Sequence, residues 1–160
     1  MANIIQINVD NYIHHKLILN DLYKKSSIEQ KIRHNITTDS HVTRPNTYIH
    51  ILQLNSIIIG YIKVSYRQLY HYSQIITDIG NKYIINDFYI VPDYRRKNYG
   101  KMLIDHVLQC YNIDISKLCF DKPTNNTLQL LKTKYNSSSY IKEPTSIYIP
   151  SMELRLLLDI

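Results

Sequence analysis

Two runs rich in β-branched and aromatic residues, Thr47–Leu54 and Ile57–Tyr66, are separated only by Asn55-Ser56. They predict two strands joined by a tight hairpin. Ahead of them, Ile4-Ile5-Gln6-Ile7 reads as a short first strand. Asp10 or Asn11 can then cap a helix whose apolar positions Ile13, Leu17, Ile18 and Leu22 fall on one face. Ser27, with Gln30 three residues on, gives a second helix start with Ile28 and Ile32 as its apolar contacts. Asn35 to Asn46 is polar and reads as loop. Residues 67–81 read as a connection ending at Gly80-Asn81, with room for a small ribbon around Gln74-Ile75-Ile76.

The second half is more regular. Tyr83–Val91 predicts a central strand, and the helix after Gly100 carries Leu103, Ile104, Val107, Leu108 and Tyr111, the stripe of a helix packed on a sheet. Leu118–Asp121 is a short strand, and Pro123 holds Lys122 out of helical angles before a helix with Leu128, Leu131 and Tyr135 on one side. Ser146–Ile149 reads as a last strand stopped by Pro150. Hairpins first, then β-α-β-α-β, predict a single α/β domain over 1–160, three layers deep around a mixed central β-sheet. The tail Ser151–Ile160 is too apolar for a free end and is expected to pack on the sheet, binding of a partner or a second copy being the alternative.

Composition narrows the class. At 160 residues and 44% hydrophobic, the chain can bury a full core without disulfides or metals. Cys110 and Cys119 have no metal-like spacing, and the seven histidines share no ligand pattern, so no metal is expected and reduced thiols in a cytoplasmic setting are. Met1–Asp10 lacks the marks of a signal peptide, and no stretch approaches the ~18–20 apolar residues of a membrane span. The net charge of +6 suits an anionic cofactor or an acidic protein surface. No long Lys/Arg run accompanies it, which argues against nucleic acid. With 15 Tyr, 3 Gly and no Trp, the composition is biased enough that single Lys or Tyr residues carry little weight.

The candidate chemistry sits where the central strand ends. Phe88-Tyr89-Ile90-Val91-Pro92 leads through Arg95-Arg96-Lys97-Asn98-Tyr99 into a helix at Gly100-Lys101. A strand feeding a helix through a cationic turn leaves backbone N–H groups free to hold phosphate oxygens. No G-x-x-x-x-G-K-[ST] or G-x-G-x-x-G occurs. The run resembles the acetyl-CoA loop of the GNAT superfamily, Q/R-x-x-G-x-G/A, with Asn98 in place of the first glycine. Asn is the side chain that best tolerates left-handed angles there.

Three separated blocks resemble the alpha-tubulin N-acetyltransferase family, a GNAT branch. They are Gly60-Tyr61-Ile62-Lys63-Val64; Asp87-Phe88-Tyr89-Ile90 with the Arg95–Lys101 loop; and Asp121-Lys122-Pro123 followed by Leu128, Leu131, Lys134, Tyr135 and Asn136. The resemblance covers roughly Asn46 to Asn136. It implies acetyl-CoA as co-substrate, lying where the strands at Phe88–Val91 and Leu118–Asp121 splay apart. Backbone groups of Phe88, Tyr89, Ile90 and Val91 would meet the pantetheine arm. Arg95, Arg96, Lys97, Asn98, Tyr99, Gly100 and Lys101 would hold the diphosphate. The helix start from Thr124, with Asn126, would close the other side. Asp121 would be the active-site aspartate beside a lysine of alpha-tubulin in microtubules.

The chain also departs from that family. Its cysteine three residues before the D-F-Y aspartate is Ile84 here, its glutamine before the second strand falls near Thr43, and the lysine of D-R-P-S-x-K is Asn126. Cys119, on the same strand face as Asp121, is either a substitute thiol or a small core residue. Three functions therefore stay open at this point: a protein lysine acetyltransferase, a pseudoenzyme that keeps cofactor or microtubule binding, and a GNAT for another protein or small-molecule amine. The cationic loop and Asp121 favour the first; Ile84 and Asn126 favour the second.

Overall fold

The structure, a computed structural model, describes residues 1–137, 139–145 and 147–151. Asn55 and Ser56 both take positive φ, 48° and 69°, as the two central residues of a type I′ turn do. They join β2 (Thr47–Leu54) to β3 (Ile57–Tyr72). β3 continues past Tyr66 to Tyr72, and β4 (Ile76–Ile90) begins well before Tyr83. The segment expected as a connection is thus a long antiparallel arm that turns at residues 73–75. Tyr66, Tyr70 and Tyr72 are exposed along it while Leu69 and Ile79 are buried. Glu143 ties the arm down, its two oxygens meeting His71 Nδ1 at 2.6 Å and Tyr72 N–H at 2.9 Å.

β1 (Ala2–Ile7) pairs antiparallel with β2 and leads into one long helix, α1 (Val9–Glu29). Two expectations are corrected here. The cap is Asn8, in a reciprocal pair with Asn11, because the chain turns directly off β1. Ser27 starts no second helix: it lies buried in the last turns of α1, where its hydroxyl accepts the Ile36 N–H. The apolar face is also displaced. Ile13, Leu17 and Ile18 are exposed, and Leu19, Leu22, Tyr23, Ser26 and Ser27 face inward.

The remaining elements are α2 (Tyr99–Cys110), β5 (Cys119–Asp121), α3 (Asn125–Tyr135), β6 (Tyr140–Lys142) and β7 (Ile147–Pro150). β6 was not expected, and the packing expected of residues 152–160 falls outside the described residues. Among the described residues seven strands form one mixed sheet in the order β1-β2-β3-β4-β5-β7-β6, with β4 and β5 its parallel pair. Leu22, Tyr23, Tyr61 and Tyr89 pack under α1 on one face; Ile62, Val64, Leu103, Val107 and Leu131 pack under α2 and α3 on the other. The three-layer α/β architecture is the one the sequence predicts.

Within the second layer sits a buried imidazole. His50 has no exposed surface. Its Nε2 lies 2.8 Å from Tyr111 Oη and its Nδ1 3.2 Å from His106 Nε2. Burial, then the neighbouring His106, pushes its pKa down to about 4. The folded-state value lies below the unfolded one, so the neutral ring contributes stability that is present above about pH 6.5 and lost as pH falls through 4. The loss amounts to about 3 kcal/mol if His50 acts alone. Urea unfolding between pH 7 and 4.5 should therefore show a steeper loss for the native chain than for His50→Gln. Parallel pH profiles would show that His50 does not control the acid limb.

Candidate active site

Strand pairing determines where a ligand can enter. β4 pairs with β5 only at Ile84↔Cys119 and Ile85↔Phe120. On its other side β4 stays with β3 as far as Gly60↔Ile90. Val91 N–H donates to Ile59 O at 2.9 Å, so by strand alternation Tyr89 and Asp87 turn their backbone groups to β3. Phe88 and Ile90 turn theirs the other way, into the space that β5 has left. A register shift between Lys63 and Val64 makes Asn86 the extra residue of a β-bulge at this point.

That space opens into a cleft of about 510 Å³. Phe88, Tyr89 and Ile90 form its strand wall; Arg95, Arg96, Asn98, Gly100 and Lys101 form its rim; Thr124, Asn126, Thr127, Leu130, Thr133 and Lys134 of the α3 side close it. Ten of the thirteen residues expected around the cofactor thus line one cleft, and Val91, Lys97 and Tyr99 stand outside its lining. Asn98 caps α2 at φ 65°, the left-handed conformation expected of it. Arg96 is left-handed as well, at φ 62°. Met102 N–H is the first to bond back, to Asn98 O, so the preceding N–H groups of α2 are without intrahelical partners at the rim.

The cations of the rim differ in their freedom. Arg95 is already paired: its Nε donates to Ile90 O, and Nη1 and Nη2 each donate to one Glu29 oxygen, all at 2.7 Å. Lys101 pairs with Asp105 at 2.6 Å, and Lys97 donates to Asp93 O at 3.1 Å. Arg96 is exposed. Its guanidinium can meet an anion without first leaving a carboxylate.

Asp121 does not line the cleft itself. It lines a second cavity of about 20 Å³ with Gln30, Asn86, Asp87, Phe88 and Lys122, room for little more than one water molecule. Lys122 takes φ 45°, which turns the chain sharply between Asp121 and Pro123. Thr124 caps α3, accepting the Thr127 N–H at 3.2 Å. The cleft and the small cavity share Gln30, Phe88, Thr124 and Thr127. A ligand threaded along the free β4 edge would therefore present its inner end next to Asp121.

A family described as GNAT acetyltransferase, Mec-17, matches residues 5–149. The chain belongs to this family. The alpha-tubulin N-acetyltransferase of Tetrahymena thermophila is 26% identical over 134 residues, 82% of this chain and 33% of that protein. That of Plasmodium falciparum is 28% identical over 124 residues, 78% of this chain and 67% of that protein. The chain thus spans a third of the first relative and about two thirds of the second. A Clostridium acetobutylicum protein described as a predicted acetyltransferase, solved with acetyl-CoA, superposes with a TM-score of 0.61 at 18% identity, covering 84% of this chain and 88% of that one. An aminoglycoside acetyltransferase from an uncultured soil metagenomic sample superposes with a TM-score of 0.58 at 17% identity, covering 86% of each chain. These two share the GNAT fold.

Several family positions take on physical meaning in this member. Ile84 is fully buried and is the register partner of Cys119 across the parallel pair. Both pack with Leu69, Ile79, Ile147 and Ile149, so Cys119 is built into the core. No disulfide joins it to the exposed Cys110. Among the described residues no group of three or more His, Cys, Asp or Glu is placed to hold a metal ion, and no helix is long and apolar enough to cross a membrane. The contribution of α1 to the cleft, through Ser26, Glu29 and Gln30, was not expected from the sequence. The one available signal was a pair of serines at inward-facing positions of an otherwise apolar helix face.

Proposed function

We propose that this chain is an acetyl-CoA-dependent lysine N-acetyltransferase acting on alpha-tubulin in microtubules, in the cytoplasm. The observation that carries the reading is the free β4 edge, which runs from a cationic helix start toward the small adjoining cavity that Asp121 lines. Membership of the Mec-17 family supports it, as do the relatives described as alpha-tubulin N-acetyltransferases. The fold neighbour solved with acetyl-CoA supports the cofactor.

The residues present fit that molecule by type. Free N–H groups at the α2 start, with Arg96 beside them, suit a diphosphate. The outward N–H and C=O groups of Phe88 and Ile90 suit amide groups of an extended arm, with Ile90 O already shared with Arg95. Bound there, acetyl-CoA supplies an acyl group activated as a thioester. In this reading Asp121 takes the proton that a lysine ammonium must lose before its nitrogen can attack. Backbone N–H groups of the free edge then meet negative charge on the acyl oxygen.

The test is transfer of label from acetyl-CoA to assembled microtubules by the purified protein. Label on alpha-tubulin is the expected result. A protein that binds acetyl-CoA but leaves microtubules unlabelled would overturn the tubulin assignment.

A further inference from the structure

One wall of the cleft carries a contact that an entering ligand must break. Ile90 turns its backbone groups into the cleft, yet its carbonyl is already taken, by Arg95 Nε at 2.7 Å. That is ordinary hydrogen-bonding distance, so Arg95 stands where an N–H of an extended arm laid along β4 would stand. The same guanidinium donates from Nη1 and Nη2 to the two Glu29 oxygens, each at 2.7 Å. It also lies over the Tyr89 ring, 5.4 Å from its centroid. Arg95, Glu29, Tyr89 and Ile90 all line the cleft.

Glu29 sits where a helix does not favour it. It is the last residue of α1, the negative end of the dipole, and no basic residue of that last turn offsets it. Its partner lies 66 residues further along the chain. The paired, two-bond geometry is the most directional that an arginine and a carboxylate form. Both side chains keep contact with solvent, so the pair adds little to stability. What it does set is the position of Arg95 on the Ile90 carbonyl.

We infer that Arg95 is a displaceable occupant of the cofactor subsite at Ile90, held there by Glu29. The entering ligand takes the carbonyl with an amide N–H, and the released guanidinium turns to the ligand's diphosphate. This rests on the acetyltransferase reading, which supplies a ligand carrying both groups. Glu29 is thus a positioning residue that acts through Arg95. The exchange couples the two ends of recognition. A thioester without a diphosphate must evict Arg95 and offers it no anion in return, so the cleft favours whole acetyl-CoA over its pantetheine fragment.

The experiment titrates acetyl-CoA and S-acetylpantetheine into the native chain, Glu29→Asp, Glu29→Gln and Arg95→Met by calorimetry. S-acetylpantetheine is uncharged, so a change in the charge of the cleft does not by itself move its affinity. Glu29→Asp keeps the charge but falls one methylene short of the guanidinium. Both Glu29 variants should bind both probes about fivefold more tightly than the native chain, because a weaker latch leaves more clefts open. Arg95→Met removes the occupant and its diphosphate contact together. It should tighten S-acetylpantetheine and weaken acetyl-CoA, each by about fivefold. A pair that only braced the end of α1 would give weaker binding of both probes in all three variants. That result, or affinities unchanged from native, would overturn the inference and leave the acetyl-CoA site standing. A native chain that binds neither probe would overturn the acetyltransferase reading as well, so the native titration tells the two failures apart.

Discussion

Asp121→Asn is expected to lower the turnover rate by about 10²-fold or more, with acetyl-CoA affinity within about twofold of the native value. The substitution keeps the size and planarity of the side chain and leaves the pairing of residue 121 with Ile147 on β7 untouched. It removes only the ability to take a proton and one negative charge. Asp121 lines the small cavity and not the cleft, so cofactor contacts are spared. The missing charge also withdraws one of the influences that keep the Lys63 pKa up, so Lys63 should titrate lower in the variant. Calorimetric titration with acetyl-CoA and single-turnover transfer separate the cases. A variant that loses cofactor affinity would make Asp121 a support of the cleft. One that keeps full activity would remove it from the chemistry.

Gly60→Ala should cost about 1–3 kcal/mol of stability and weaken acetyl-CoA binding with it. A methyl group at this position would lie 2.5 Å from Ile90 Cδ1 and 2.6 Å from Tyr89 O. The first contact can be relieved by a rotamer change, but the second is with backbone. β4 must then retreat from β3, and the only direction open to it is toward the cleft. Gly100→Ala is the instructive contrast. Its methyl would meet Leu130 Cδ1 at 2.9 Å and Phe88 Cζ at 3.1 Å, both side-chain atoms. Urea midpoints and acetyl-CoA affinities should fall together for Gly60→Ala. Unchanged values in both would show that β3 and β4 have slack at the cleft wall.

The parts of the molecule that were legible beforehand are those where one local rule acts without competition. Asn55-Ser56 joins two apolar runs and takes the I′ turn those runs need. The stripe Leu103, Ile104, Val107 matches the buried face of α2, because that helix is wetted on one side only. Asn98 was legible because few residues accept its backbone angles. The β3–β4 arm was not, since both its faces meet solvent over much of its length and no burial pattern marks Arg67, Gln68 or Tyr70 as strand. α1 misled for the opposite reason. In so isoleucine-rich a chain apolar residues fall on both faces, and the buried face is marked instead by Ser26 and Ser27, which bond to Asp87 and Ile36. The α1 side of the cleft went unseen with it, as no short motif announces Glu29 bridging to Arg95.

The bulge at Asn86 gives the cofactor wall an arithmetic basis. Backbone groups on a strand alternate, so which residues turn their amides to the cleft is decided by whether their number from the bulge is odd or even. Side chains from Asp87 to Ile90 can be exchanged without altering that parity. Loss of Asn86 would merely make Lys63↔Asp87 and Val64↔Ile85 adjacent regular pairs, whereas loss of Phe88 would shift every residue after it by one and turn the Tyr89 amide outward in place of Phe88 and Ile90. The length of the segment between the Lys63↔Asp87 pair and the stop at Pro92 is therefore under tighter constraint than its composition. Drift in this lineage can rewrite the letters of that segment far more freely than it can change their count.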